Sequence, residues 1–224
     1  MKLDKVVPFG RLLTEYQLMF HLTSEDMKRK ILDVAGGPAS FNAEMHRLGC
    51  LSTSIDPLYK FSGQEIQQRF DECVDSVIEQ VRTTPKDWVW NYHKSVEELR
   101  RNREKALATF LADYELGKAD QRYVSGALPD LLLEEHYDLV LCSHFLFLYS
   151  EQLDYDFHRR SILNLLKQSH EVRIFPLLTL DLKQSPHLGL ILQELHQLGY
   201  ATEILKVDYE LQRGGNEMLK IQSR

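Results

Sequence analysis

The sequence is short of the features that mark several protein classes. It has three cysteines, Cys50, Cys73 and Cys142, an odd number without metal-like spacing. That excludes a disulfide framework and fits free thiols in a reducing cytoplasm. No cluster of His, Cys and Asp has the spacing of a metal site, so no metal is expected. Long apolar runs are absent too. The longest, near "LVLCSHFLFLY", is broken by Ser143 and His144 and is too short to cross a bilayer, and "MKLDKVVPFGRLL" has no apolar signal core. Basic charge is in deficit. Lys and Arg total 27 against 33 Asp and Glu, a net charge of −6, which argues against neutralising the phosphates of a nucleic acid. Also missing are G-x-x-x-x-G-K-[ST], which excludes a P-loop, the three-glycine dinucleotide fingerprint, the G-x-S-x-G elbow, internal repeats and low-complexity tracts.

What remains is an ordinary globular chain of 224 residues, 43% hydrophobic, enough for one cored domain. Leu12, Leu13, Tyr16, Met19 and Phe20 predict a helix over 8–22. "KILDVA" reads as a strand, the segment after Pro38 as a helix ending at Gly49, and "CLSTSID" as a second strand ending at Asp56. Residues 57–120 interrupt the alternation with two capped amphipathic helices, opened by Ser62 with Glu65 and by Ser95 with Glu98, the second stopping at Gly117. Their stripes are too few to close a core, so the stretch reads as a helical insertion. Alternation resumes with "QRYVSGALP", the apolar strand "YDLVLCS", a helix over "SEQLDYDFHRRSILNLLKQ", the strand "EVRIFPLL", and a helix opened by Ser185 and Pro186. "YATEILKV" and "EMLKIQS" close the chain as an antiparallel pair. The expected fold is α/β: a Rossmann-like, mainly parallel seven-stranded sheet with an antiparallel C-terminal strand, in a single domain over 1–224 that carries the insertion at 57–120.

The stretch "ILDVAGGPASF" carries most of the functional signal. Gly36 and Gly37 end a strand where backbone can lie against a ligand, and Asp56 ends the next strand 20 residues after Gly36. In open α/β sheets ligands bind beyond the carboxyl ends of the strands, and an acid at the second strand's end suits the two hydroxyls of a ribose. A glycine turn with that acid points to an adenosine-type ligand.

"ILDVAGGPAS", "SIDPLY", "YVSGALPDL" and "YDLVLCSHFLFLYSEQ" resemble, in order, the motifs of class I S-adenosylmethionine-dependent methyltransferases. "FGRLLTEYQLMF", "GGPASFNAEM", "DPLYKFS", "SHFLFLYSEQL" and "LQRGGNEML" resemble in particular a bacterial subgroup of that family. The resemblance covers the chain outside 57–120 and implies S-adenosylmethionine as cofactor. It places Asp33, Ala35, Gly36 and Gly37 at the methionine part, Asp56 at the ribose, Ser125, Gly126, Ala127 and Leu128 at the adenine, and Cys142 and Ser143 beside the sulfonium. The family commonly has glycine where Ala35 stands and an acid where Gly126 stands.

His144 follows the fourth strand and is the candidate general base. Arg11, Tyr16, Trp88, Trp90, Tyr92, His93, Tyr149, Arg213 and Asn216 are candidates for contacting the methyl acceptor, expected to be a small molecule. The Trp88–His93 stretch can instead glue the insertion to the sheet. The insertion can serve as a lid or as a homodimer interface. The run "LRRNREK" reads as a solvated helix face. Two other functions stay open: a non-catalytic cofactor-binding or scaffold protein on the same fold, and a nicotinamide oxidoreductase.

Overall fold

Ile31, Leu32, Asp33 and Val34 are all buried, as are Leu139–Ser143 and Glu171–Phe175; strands without an exposed face must be covered on both sides. The structure, a computed structural model, describes residues 7–131, 133 and 135–223, so the extreme ends of the expected domain lie outside the described residues. In chain order the elements are α1 (Leu13–Met19), β1 (Ile31–Val34), α2 (Phe41–Arg47), β2 (Ser52–Ile55), α3 (Gly63–Thr83), α4 (Val96–Ala119), β3 (Tyr123–Val124), β4 (Leu139–Ser143), α5 (Tyr155–Gln168), β5 (Glu171–Phe175), α6 (Leu188–Gln197), β6 (Ala201–Lys206) and β7 (Glu217–Gln222).

The strands form one seven-stranded sheet in the order β3-β2-β1-β4-β5-β7-β6. Pairs among β1 to β5 are parallel, and β7 runs antiparallel to both its neighbours. This is the expected architecture. The order reverses between β1 and β4, whose register sets Val34 beside Cys142, and that reversal opens a crevice at the carboxyl ends. Side chains alternate between the faces with a period of two. Leu32, Val34, Val140 and Cys142 pack with Ile162 and Leu165 of α5 and Ile191 and Leu195 of α6. Ile31, Leu139 and Leu141 pack with Tyr16, Met19, Phe41 and Met45 from α1 and α2.

Several elements differ from the sequence-based expectation. The first helix spans only Leu13–Met19, because residues before it run along the glycine loop: Ser40 donates its N–H to the carbonyl of Arg11 at 3.0 Å. A Cβ on Gly10 would lie 1.9 Å from the Pro38 carbonyl oxygen, so that approach requires glycine. The helix expected from Ser150 starts at Tyr155, with Asp154 accepting from Phe157 N–H as its cap. The Ser185–Pro186 start is displaced to Leu188, although Ser185 Oγ still accepts from His187 N–H. Gly117 does not stop α4, which runs to Ala119; its lack of Cβ admits the Tyr123 ring, which a Cβ would meet at 2.4 Å.

Both capped helices of 57–120 are present. Ser62 and Glu65 form a reciprocal capping box, and Ser95 Oγ accepts from Glu98 N–H. The stretch is not wholly an interruption, however. Parallel β2 and β3 need a crossover, and the C-terminal half of α4 supplies it: Arg122, beside β3, bonds Asp113 of α4 and Asn42 of α2. The stripe Ile66, Phe70, Val74, Ile78 and Val81 of α3 is buried against Leu99, Leu107, Phe110 and Tyr114 of α4.

Candidate functional site

At the carboxyl end of β1 the chain enters a left-handed turn. Ala35 has φ +58° and Gly37 φ +53°, so a position that favours glycine is held here by alanine, at a cost of about 1 kcal/mol. Gly36 folds back over Asp33: a Cβ there would lie 2.1 Å from Asp33 Oδ2. Asp33 is fully buried, accepting from Tyr16 OH at 3.1 Å and from Ser54 Oγ at 3.0 Å. Burial, with a smaller contribution from Asp56, pushes its pKa up to about 7.

Asp56 holds the far side of the turn. Its Oδ2 accepts from Gly37 N–H at 3.0 Å and its Oδ1 from Leu58 N–H at 2.7 Å. Each carboxylate oxygen keeps a second lone pair, and Asp56 lines the cavity described below. Burial raises its pKa to about 6 against those two hydrogen bonds. Tyr59 closes the turn by donating from OH to the Gly37 carbonyl at 2.7 Å.

On β4's side, His144 also adopts a left-handed backbone, φ +52°, with its N–H on the Phe175 carbonyl at 2.6 Å. Its Nδ1 lies 2.9 Å from Ser143 Oγ and its ring packs edge-on against Phe175. Burial, then the charges of Arg11 and Arg103, hold its pKa well below the usual range, so the imidazole is neutral at physiological pH. The following loop is fixed by His158, fully buried on α5, whose Nε2 accepts from Phe147 N–H at 3.1 Å.

These parts share one cavity of about 580 Å³, within the range of small-molecule sites. Of the expected residues, Ala35, Gly36, Gly37, Asp56, Gly126, Ala127, Leu128, Ser143 and His144 line it, with Arg11, Tyr16, Trp88 and Tyr149. Asp33 lies beneath Gly36, and Cys142 is fully buried within β4 with burial raising its thiol to about 12. Ser125 is not among the lining residues. Gly126 owes its identity to packing, since a Cβ would come within 2.9 Å of Ile55 Cγ2.

The remaining acceptor candidates stand away from the cavity wall. Arg213 donates to the carbonyls of Lys86 at 2.7 Å and Trp88 at 2.9 Å, clamping the β6–β7 connection to the 85–94 segment. Trp90 packs on the edge of the α3–α4 core, Tyr92 OH is 2.6 Å from Thr14 Oγ1, and Asn216 accepts from Val207 N–H through its carbonyl. His93 is 1% exposed and joins a buried network. Its Nε2 is 3.2 Å from Glu15 Oε1, which also accepts from Tyr209 OH at 2.8 Å and Arg103 Nη1 at 2.9 Å.

Arg103 lies in "LRRNREK", expected to be solvated, yet it is 1% exposed and lines the cavity. Its position could have been read from the stripe: it falls midway between Leu99 and Leu107, on the same helix face. Glu15 and Tyr209 had no comparable local signal, nor did Phe9 and Leu211; Val77 and Val81 were legible as part of the α3 stripe but not as cavity lining. Among the described residues no group of three His, Cys, Asp or Glu side chains is placed to hold a metal ion, and no helix is long and apolar enough to cross a membrane.

No protein-family model matches the chain. Among curated proteins it is 36% identical over 223 residues to the uncharacterized protein MJ0045 of Methanocaldococcus jannaschii, covering 99% of this chain and 98% of that one. The chain belongs to the family of this archaeal protein. Among solved structures, the family member described here is similar to magnesium protoporphyrin IX methyltransferase from Synechocystis PCC 6803 with bound SAM, at 11% identity and TM-score 0.46, covering 90% of this chain and 73% of that one. It is also similar to the N-methyltransferase NodS from Bradyrhizobium japonicum WM9 in complex with S-adenosyl-L-homocysteine, at 11% identity and TM-score 0.47, covering 94% and 84%. The mitomycin 7-O-methyltransferase MmcR is 14% identical with TM-score 0.49, covering 95% of this chain and 54% of its own. The architecture of this family member stands on its strand order.

Proposed function

We propose that the protein binds S-adenosylmethionine in the cavity at the β1–β4 reversal and transfers its methyl group to a small-molecule acceptor. The observation that carries this reading is the glycine turn buttressed by Asp33 and coupled to Asp56 through Gly37 N–H, with Asp56 retaining acceptor capacity toward the cavity. The ordered motif resemblance to class I methyltransferases, and within them to a bacterial subgroup, supports it.

The residues present fit the cofactor. The glycine turn leaves backbone exposed to the cavity where the methionine portion would lie, Asp56 would accept from the ribose hydroxyls, and the Gly126–Leu128 backbone would border the base. When bound, the cofactor supplies a methyl group activated by a sulfonium. The chain's work is to position the acceptor and exclude water. Neutral His144 can accept a hydrogen bond from an acceptor hydroxyl or amine, and an anion bound near Arg11 would offset the positive charge that weakens it as a base. The inner faces of α3 and α4 wall the cavity opposite the sheet, through Val77, Val81, Leu99 and Arg103, and would act as a lid over the acceptor. Calorimetry with S-adenosylmethionine and S-adenosylhomocysteine tests the reading: binding of both is expected, and no heat from either at millimolar concentration would sink it.

A further inference from the structure

The cavity extends well past the residues assigned to the cofactor, and its far wall combines two chemistries. Arg69, Cys73, Val77 and Val81 line it at four-residue intervals on α3. They mark one helix face about 18 Å long. Trp88, Leu99 and Leu211 complete an apolar surface around Val77 and Val81. One turn along α4 from Leu99 stands Arg103, and beside it Arg11.

Arg11 is the odd member. Arg103 is fully engaged: its Nη1 bonds both oxygens of Glu15 at 2.9 and 2.8 Å. Glu15 is thereby committed, and Arg11 makes no ion pair among the described residues. Its Nη1 donates to the Phe9 carbonyl at 2.9 Å, while its Nε is buried with no hydrogen-bond partner among the described residues. Burial, then the neighbouring charge of Arg103, lowers its pKa to about 10. It stays charged. Two guanidiniums and one carboxylate leave this corner with a net positive charge in a protein whose total is −6. A half-buried cation with its Nε out of solvent and no counter-ion is costly, and a guanidinium with spare donors is shaped for a carboxylate.

We propose that the methyl acceptor is an amphiphilic anion, with its carboxylate on Arg11 and its apolar body along Val77, Val81, Trp88 and Leu99. This rests on the methyltransferase reading. The same carboxylate chemistry is available from the cofactor's methionine tail, because the Arg11 carbonyl accepts from Ser40 N–H beside the glycine turn, but Arg11 also lines the cavity together with Tyr149 and His144. The apolar wall suits an acceptor's body and not a methionine tail, and titration into protein already saturated with S-adenosylhomocysteine separates the two sources of the carboxylate.

The test uses decanoate, decan-1-ol and decylammonium as probes, titrated by calorimetry into protein saturated with S-adenosylhomocysteine. Decanoate is expected to bind at least about tenfold more tightly than decan-1-ol, and decylammonium weakest. In Arg11→Gln the decanoate advantage should vanish while S-adenosylhomocysteine affinity stays within about twofold; Arg11→Lys should keep part of it. Val81→Glu should weaken decanoate and decan-1-ol alike. Equal binding of the three probes by the unaltered protein overturns the proposal without any variant. A loss of S-adenosylhomocysteine binding in Arg11→Gln with decanoate unaffected overturns it in favour of the methionine tail. Failure of the unaltered protein to bind S-adenosylhomocysteine would instead remove the cofactor reading, and the decanoate to decan-1-ol ratio, measured without cofactor, would still report on Arg11.

Discussion

Ala35 and His144 hold left-handed backbones at the ends of the two strands that flank the crevice. Strain at such positions persists only where the surroundings over-determine it. Ala35→Gly should therefore raise the melting temperature by about one or two degrees at most: relief of about 1 kcal/mol is largely offset by the greater freedom of glycine in the unfolded chain. Scanning calorimetry checks this, and a lower melting temperature would mean that the alanine methyl is used in packing. Asp56→Asn keeps one acceptor for the loop while removing charge. S-adenosylhomocysteine affinity is expected to fall tenfold to a hundredfold, about 1.5–3 kcal/mol; unchanged affinity in the folded variant would remove the ribose assignment. Both positions were legible in the sequence because their signal is local, a glycine pair and an acid at successive strand ends. Gly126 was legible as a position but not as a cause, since its contact with Ile55 lies across the sheet.

Among elements, α4 serves two masters. Its C-terminal half is the crossover that parallel β2 and β3 require, and its N-terminal half walls the cavity. Alanine normally stabilises a helix interior relative to glycine by about 1 kcal/mol. Gly117→Ala is expected to reverse that sign, lowering stability by about 1–3 kcal/mol in denaturant titrations, because the Tyr123 ring is buried with its OH bonded to Asp113 at 3.1 Å. Stability at or above that of the unaltered protein would show that Tyr123 can withdraw. Glu15→Gln leaves Arg103 short of a charge partner in a dry site and should cost about 3–5 kcal/mol. Helix periodicity revealed the stripes of α3 and α4 and the caps at Ser62 and Ser95. It misjudged Arg103 because a charged residue in a basic run reads as solvent-facing, although the stripe passes through it. The shortened α1 comes from contacts made by another segment, which no local pattern encodes, whereas the later start of α5 is set by a local cap, Asp154.

At the scale of the whole molecule, the two site carboxyls make stability depend on pH. Asp33 and Asp56 both titrate above their ordinary value of 3.8, at about 7 and about 6. Their contribution is therefore complete below about pH 4 and is lost as pH rises through 6 and 7. Glu15 acts oppositely: its pKa is depressed, so its contribution is present above its ordinary value of 4.5 and lost as acid protonates it. The buried His93, His144 and His158, whose pKa values burial lowers, act in the opposite sense to Asp33 and Asp56 as pH rises toward 6.5, so the test is differential. From pH 4 to pH 7 the stability of Asp33→Asn relative to the unaltered protein should rise in chemical unfolding, and a constant difference would place the titration elsewhere. The mainly parallel seven-stranded sheet with its antiparallel end was legible from the alternation of elements, whereas the cavity's far wall was not, since it is assembled from distant segments. That assembly has a consequence for biosynthesis. Tyr209 closes the cavity by bonding Glu15 across 194 positions of chain, and Arg213 latches the segment that carries Trp88. During translation the glycine turn emerges early, yet the enclosure waits for residues past 209 to leave the ribosome. Ligand capture should thus mark a polypeptide whose distal hairpin has already docked, and a nascent chain stalled before that point should be unable to retain it.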